Sequence, residues 1–381
     1  MSTTFDPTVR TYPSSDPALG LPPPAQPAAE PPVDRPRRVA ARSADDWYTL
    51  IGSLAAALCL AWLLYYKVLP FSGKVGFLIV WYTMFVGFYV GVTALNHSRA
   101  IVVDRLASAL VHGAAVLVVV AVGWTLLYTF IHGWPAFKHM NFYTQDMSAT
   151  PATAPLNSGG IKHAIVGTGI QLGLAVVFAL PLGLITAVYL TEVGGRLAVA
   201  VRTVIEAMTA LPDLVAGLFI YTILIRAPLQ LGNIGICASL AIGITMLPII
   251  ARSSEVVLRS VPSGLREASS ALGAPQWRTV FRVVLPTARA GLGTALILGM
   301  ARGVGETAPV IITSGASSYF NANPFHDPMN SLPLFIYNQM RNTGLDKNAV
   351  ARAYGAASVL LVLILLLFVF VRLLARDRPG R

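Results

Sequence analysis

Apolar residues in this chain come in long unbroken runs, and polar residues gather between the runs. A helix that crosses a hydrocarbon core of about 30 Å needs about 20 such residues. The pattern predicts eight spans, at 47–69, 76–96, 108–131, 163–190, 203–226, 234–251, 289–313 and 353–374. Lipid offers a backbone no hydrogen-bond partners, so each span is expected to be helical. The expected fold class is therefore an all-α polytopic membrane protein.

Composition agrees: of 381 residues, 55% are hydrophobic and 12% charged, about half the charged share of a soluble domain. The formal net charge of +11 would suggest nucleic-acid binding in a soluble protein, but the Arg and Lys residues sit between apolar runs, which reads as topology. With the N-terminus inside, nineteen of the 28 basic residues fall on the inner side and eight on the outer. The positive-inside rule then places both termini in the cytoplasm of a multi-pass plasma-membrane protein.

The Pro-rich stretch 1–42 contains no apolar run of signal-peptide length and reads as a disordered cytoplasmic tail. A block of spans follows over 47–131, a second over 160–374, and 375–381 forms a basic cytoplasmic end. Two long outer loops, 132–162 and 314–352, carry Pro, Asn, Gly and aromatics. They suit either a pore cap or partner contact, or ordered interfacial connectors. Small-residue pairs at Gly87/Gly91, Gly169/Gly173 and Gly299/Gly303 suggest close helix packing, and Pro181 and Pro248 suggest kinks. Cys59 and Cys237 lie in separate apolar runs and read as lipid-facing or packing residues.

The inner loop 252–288 is too patterned for a connector. It reads as a helix over Leu265–Leu272, a break at Gly273-Ala274-Pro275, and a second helix over Gln276–Val284 before Leu285-Pro286 opens a span. Ala268, Ser269 and Ala271 are small enough for close approach, Glu267 can pair with a basic groove, and Gly273 permits a turn. An amphipathic helix lying on anionic lipid is the rival reading. No Gly-x-x-x-x-Gly-Lys-Ser/Thr loop, His-Glu-x-x-His or Gly-x-Ser-x-Gly occurs, so the chain has no nucleotide loop and no recognisable hydrolytic centre of its own.

Glu267-Ala268-Ser269, Gly273, then Val283-Val284-Leu285-Pro286 resembles the EAA loop of type I ABC importer permeases, with Ser269 in place of an alanine. The resemblance implies a six-helix permease core with about two extra N-terminal transmembrane helices, and a cytoplasmic coupling helix docked on a separate ATPase. Glu267, Ala268, Ser269, Gly273, Leu285 and Pro286 would build that element, and ATP would bind the partner only.

Arg302 stands inside the seventh span, where charge is costly, with Glu306 four residues on and so expected on the same helical face. From chemistry alone the two form either an anion-path pair or a structural one. Ala301-Arg302 with Gly305-Glu306-Thr307-Ala308-Pro309 resembles the signature of PstA-type permeases of phosphate-specific importers. Leu211-Pro212 through Gly217-Leu218-Phe219, and Ser331-Leu332-Pro333-Leu334 with Ile336-Tyr337, resemble the same family, departing at Asp213 where that family usually has Ser. Asp213 could pair with Arg202 or another Arg, or cap a helix.

The resemblance implies phosphate import through a path shaped by Arg302, Glu306 and Thr307. The implied partners are a PstC-type permease, a PstB-type ATPase dimer, an external phosphate-binding protein and membrane lipid. Rival readings are a permease for sulfate or molybdate, an ATP-independent anion channel or secondary transporter, and a membrane scaffold or phosphate sensor.

Overall fold

A computed structural model describes residues 44–68, 73–342, 344 and 346–375. The Pro-rich stretch 1–42 and all but the first residue of 375–381 lie outside the described residues. The main helices are α1 (Ala44–Leu63), α2 (Lys74–Asn96), α3 (Arg99–Phe137), α4 (Lys162–Val188), α5 (Arg196–Ala210), α6 (Asp213–Ile220), α7 (Gly235–Arg259), α8 (Ser263–Ala271), α9 (Leu285–Val304), α10 (Ala308–Thr313), α11 (Leu332–Asn342) and α12 (Lys347–Ala375). No strand occurs among the described residues. Seven helical stretches are long and apolar enough to cross a membrane, or eight if a bent pair counts as one span.

The chain forms two compact units, Met1–Ala115 and Val116–Arg381, with α3 passing from one to the other. In the first unit, α1 and α2 form a hairpin whose turn is tied by the Tyr65 hydroxyl donating to the Gly73 carbonyl at 2.8 Å. Arg105 pairs with Asp46, and Tyr82 donates to the Ala109 carbonyl at 3.0 Å. In the second unit, α4 and α7 pack along each other around buried Leu172, Ala175, Ile242, Met246 and Ile250. Of the small-residue pairs, Gly299 and Gly303 of α9 lie against Ile250 and Met246 of α7. Gly87, Gly91, Gly169 and Gly173 have nothing within 4 Å of a Cβ position.

Two expected spans are broken. The fifth, expected as one helix over 203–226, is α5 and α6 with its continuation to Arg226, bent by 104°. Proline clashes with a helical residue before it, and Leu211 is accordingly extended at φ −70°, ψ 133°. The seventh, expected to run to residue 313, stops at Val304 and resumes at Ala308. Pro309 stands in the first turn of α10 and has no N–H to donate back across the break. Glu306 therefore lies between helices, not on the face of α9 that carries Arg302.

The two long loops interlock at the end of the unit opposite the 252–288 loop. Met147 N–H donates to the Ser318 carbonyl and Phe320 N–H to an Asp146 carboxylate oxygen, each at 2.9 Å. Burial pushes the Asp146 carboxyl up, but hydrogen bonds from the Ser148 hydroxyl and N–H and from Phe320 N–H hold it below its ordinary value. Arg352, buried in α12, donates one nitrogen to the Ala152 and Ala154 carbonyls and the other to those of Pro155 and Ser158, at 2.8–2.9 Å.

The broken helices meet where a side chain would not fit. A Cβ on Gly217 of α6 would lie 2.7 Å from Pro309 Cα and 3.0 Å from its carbonyl oxygen. Gly217→Ala should therefore destabilise the protein by about 1–3 kcal/mol, whereas Gly169→Ala should be neutral or slightly stabilising. Thermal unfolding of the purified variants in detergent checks both. Asp146 gives a second expectation: a depressed carboxyl stabilises the loop clasp above its unfolded pKa and loses that contribution as pH falls through the folded value. Proteolysis of the 146–158 loop should accelerate below about pH 4, and Asp146→Asn should reproduce the acceleration at neutral pH.

Candidate anion path and coupling element

Arg302 Nη2 bonds Asp213 Oδ2, and Nη1 pairs with Glu306 Oε1. One guanidinium thus joins the first residue of α6 to the break after α9. Glu306 is 5% exposed in its side chain, Asp213 30% and Arg302 42%. Two carboxylates thus share one guanidinium.

Arg302 and Asp213 face a cavity of about 150 Å³ bounded by Met208, Thr209 and Leu211 of the bent span, Ala216 of α6, and Ile244, Thr245, Pro248 and Ile249 of α7. A cavity of roughly this volume can hold a molecule the size of benzene, so a small tetrahedral anion fits. Pro248 leaves the Ile244 carbonyl without its usual donor four residues on, and both residues are at the wall. Neither Glu306 nor Thr307 lines the cavity. Glu306 reaches it only through Arg302, and Thr307 is the N-cap of α10 without a side-chain cap bond.

The second cluster lies at the 252–288 loop. Helix α8 ends in Gly273 at φ +75°, with Gly273 N–H donating to the Ser270 carbonyl at 2.9 Å and Ala274 N–H to that of Ser269 at 3.2 Å. This is a Schellman ending, which needs a left-handed residue that glycine supplies without cost to Cβ. Past the elbow, Gln276–Thr279 runs through a π-turn at Val280–Val284 into α9 without interruption. Pro286 thus sits in the first turn of α9 on an unbroken rod. Ser269 bonds Thr279 across the elbow at 2.8 Å. Glu267 and Ala268 are exposed, as are Leu265, Leu272, Trp277 and Phe281, while Leu285 packs with buried Leu258 and Val284.

Two carboxylates that the sequence pattern did not single out hold this end together. Glu192, just past α4, receives Arg266 of α8 at 2.9 and 3.1 Å, and Arg266 also donates to the Leu258 and Val261 carbonyls. Buried Glu255 of α7 receives Arg202 and Arg259 at 2.7 Å, with Arg252 at 3.7 Å. The partner of Arg202 is therefore Glu255, and that of Asp213 is Arg302. The one local signal was the spacing of Glu255 from Arg252 and Arg259 along α7.

The family model for binding-protein-dependent transport system inner membrane components matches residues 179–378. The chain belongs to this family. The matched range takes in the bent fifth span, the coupling element, Arg302 and α12. Among similar proteins is the phosphate transport system permease protein PstA 1 of Mycobacterium tuberculosis (strain CDC 1551 / Oshkosh), 38% identical over 250 residues, covering 65% of this chain and 81% of the relative. Another is the phosphate transport system permease protein PstA of Xylella fastidiosa (strain 9a5c), 35% identical over 238 residues, covering 61% and 81%. Among solved structures, a bacterial ABC transporter involved in the import of the acidic polysaccharide alginate superposes with a TM-score of 0.50 at 17% identity, over 73% of this chain and all of that one. That likeness concerns the fold of the permease core.

The Arg266 clamp makes a prediction. Arg266→Gln leaves Glu192, 8% exposed in its side chain, without its cation, a change that typically costs about 3–5 kcal/mol. Adding Glu192→Gln should recover part of that loss in the thermal unfolding of the double variant, because the uncompensated charge is then gone.

Proposed function

We propose that this chain is the PstA-type permease subunit of an ATP-driven importer of inorganic phosphate. The observation that carries the reading is the placement of Arg302 at the wall of a cavity between broken helices, in a chain whose relatives are phosphate permeases over most of their length. In this reading a PstC-type permease completes the path, a PstB-type ATPase pair supplies the work, and an external phosphate-binding protein delivers the ion. Arg302 draws the anion, and Glu306 and Thr307 shape the break beside it.

The coupling element is the exposed helix α8 with its glycine elbow. Glu267, Ala268 and the apolar side chains of Leu272 and Trp277 offer a small docking surface to the ATPase. Ser269, Gly273, Leu285 and Pro286 fix its angle to the rod of α9. Movement at α8 is passed to α9 through the π-turn and to α4 through Arg266 and Glu192. Both termini lie with the coupling element in the cytoplasm, and the interlocked loops face outward, as the distribution of basic residues supports. Alternating access is then rocking of the helices around the cavity.

Radiolabelled phosphate uptake in cells depleted of their native system and supplied with the partner subunits tests the reading. Uptake should require this chain, resist excess sulfate, and fall about ten-fold or more in Arg302→Gln at equal membrane levels, the loss expected for one good charged contact. Unaltered uptake without the chain would sink the assignment. Gly273→Asp should hydrolyse ATP in the purified complex but import no phosphate, because the elbow that transmits the movement is lost. Parallel loss of both activities would instead point to failed assembly.

A further inference from the structure

The wall of the cavity is rich in hydrogen-bond acceptors and poor in donors. Thr209 donates its hydroxyl proton to the Ile205 carbonyl and Thr245 donates to that of Ile242, both at 2.8 Å. A hydroxyl carries one proton, so each threonine offers the cavity lone pairs only. Asp213, when ionised, accepts only. Among the lining side chains Arg302 is the sole cation, and it is shared with two carboxylates.

A fully ionised tetrahedral oxyanion brings acceptors alone. At this wall it would find Arg302, the Asp213 carboxylate bonded to it, and the lone pairs of Thr209 and Thr245, with no proton to give them. An oxyanion that keeps an O–H can place its charged oxygens on the guanidinium and donate to Asp213. We infer that Asp213 is a specificity-determining residue that selects partly protonated tetrahedral oxyanions, the phosphate class, over fully ionised ones, the sulfate class. The inference rests on the reading of the chain as a phosphate permease. It places part of the anion choice in the membrane path, through a carboxylate bonded to the path arginine.

Sites that hydrogen-bond a substrate hydroxyl discriminate strongly against an analogue without one, because the site's buried polar groups are then left unpaired. The test is equilibrium binding of radiolabelled phosphate to the purified complete importer without its external binding protein, competed by arsenate, which keeps a proton at neutral pH, and by sulfate, which does not. In the wild type, arsenate should compete within about ten-fold of unlabelled phosphate, and sulfate should need at least about 100-fold more. Asp213→Asn replaces an acceptor by an amide that can donate, so the gap between sulfate and phosphate should narrow about ten-fold or more. Asp213→Glu should restore it.

An unchanged gap in Asp213→Asn overturns the inference, as does a wild-type complex that binds no phosphate. Loss of all binding in Asp213→Asn and Asp213→Ser, with binding kept in Asp213→Glu, assigns the carboxylate to holding Arg302 in place and also overturns it. Failure of the underlying reading is separate: it shows as cellular phosphate uptake that does not need the chain. Uptake that needs the chain, with an unchanged gap, removes only the role given to Asp213.

Discussion

The guanidinium of Arg302, shared between Asp213 and Glu306, is the interaction on which the core of the second unit turns. It joins two spans at the points where each is interrupted, and the break at Leu211-Pro212 puts Asp213 at the start of a new helix beside it. Had the fifth span run straight through Leu211-Pro212, Asp213 would lie on a continuous helix instead of opening a new one at 104°. Had the seventh continued past Val304, Glu306 would sit one turn above Arg302 on the surface of a rod. Charges within a membrane are tolerated when they pair or face a water-filled space; in this cluster the charges pair and Arg302 and Asp213 line a cavity.

The same economy holds at the end that carries the 252–288 loop. Glu192 and Glu255 are each nearly buried, and each receives more than one donor, which keeps the desolvation of a lone carboxylate from dominating. Glu255 ties α5 to α7, the helices that flank the cavity from below the bend. Glu192 ties α8 to the end of α4, whose length packs on α7. Helix α8 is thus fastened by charge-assisted bonds to one core helix and by covalent continuity to α9. Helix α8 is therefore joined directly to α9, which carries Arg302, and through α4 to α7, which lines the cavity.

At the opposite end, order comes from a different source. Among the described residues Arg352 has no carboxylate as a hydrogen-bond partner, and it is satisfied by four carbonyls of the 152–158 segment. That arrangement turns an irregular stretch into a fixed cap on α12, because backbone carbonyls in a buried place need a donor and the segment has few of its own. Gln171 donates to Ser314 and to the Met329 carbonyl, and Thr168 accepts from Leu332 N–H, so the second loop is held against α4 in the same way.

The sequence by itself determined where the eight apolar runs lie, though not the breaks in two of them, together with the helix–elbow–helix of the 252–288 loop and the presence of a costly charge at Arg302, since each follows from local rules: apolar run length, a glycine at the helix end, and the expense of charge in lipid. The break at Pro212 was not expected, since the apolar run 203–226 predicts one helix, although the clash between proline and a helical residue before it is a local rule. Tertiary structure alone decided which charges meet. Asp213 and Arg302 are 89 positions apart, Glu192 and Arg266 are 74, and Arg352 lies nearly 200 positions from the carbonyls it holds. Spacing along a chain carries information about neighbours on one helix face, whereas these pairs are set by how bent spans pack. That is why Arg202 found Glu255, why Gly169 and Gly173 face open space while Gly299 and Gly303 pack, and why Arg302 came to hold two carboxylates.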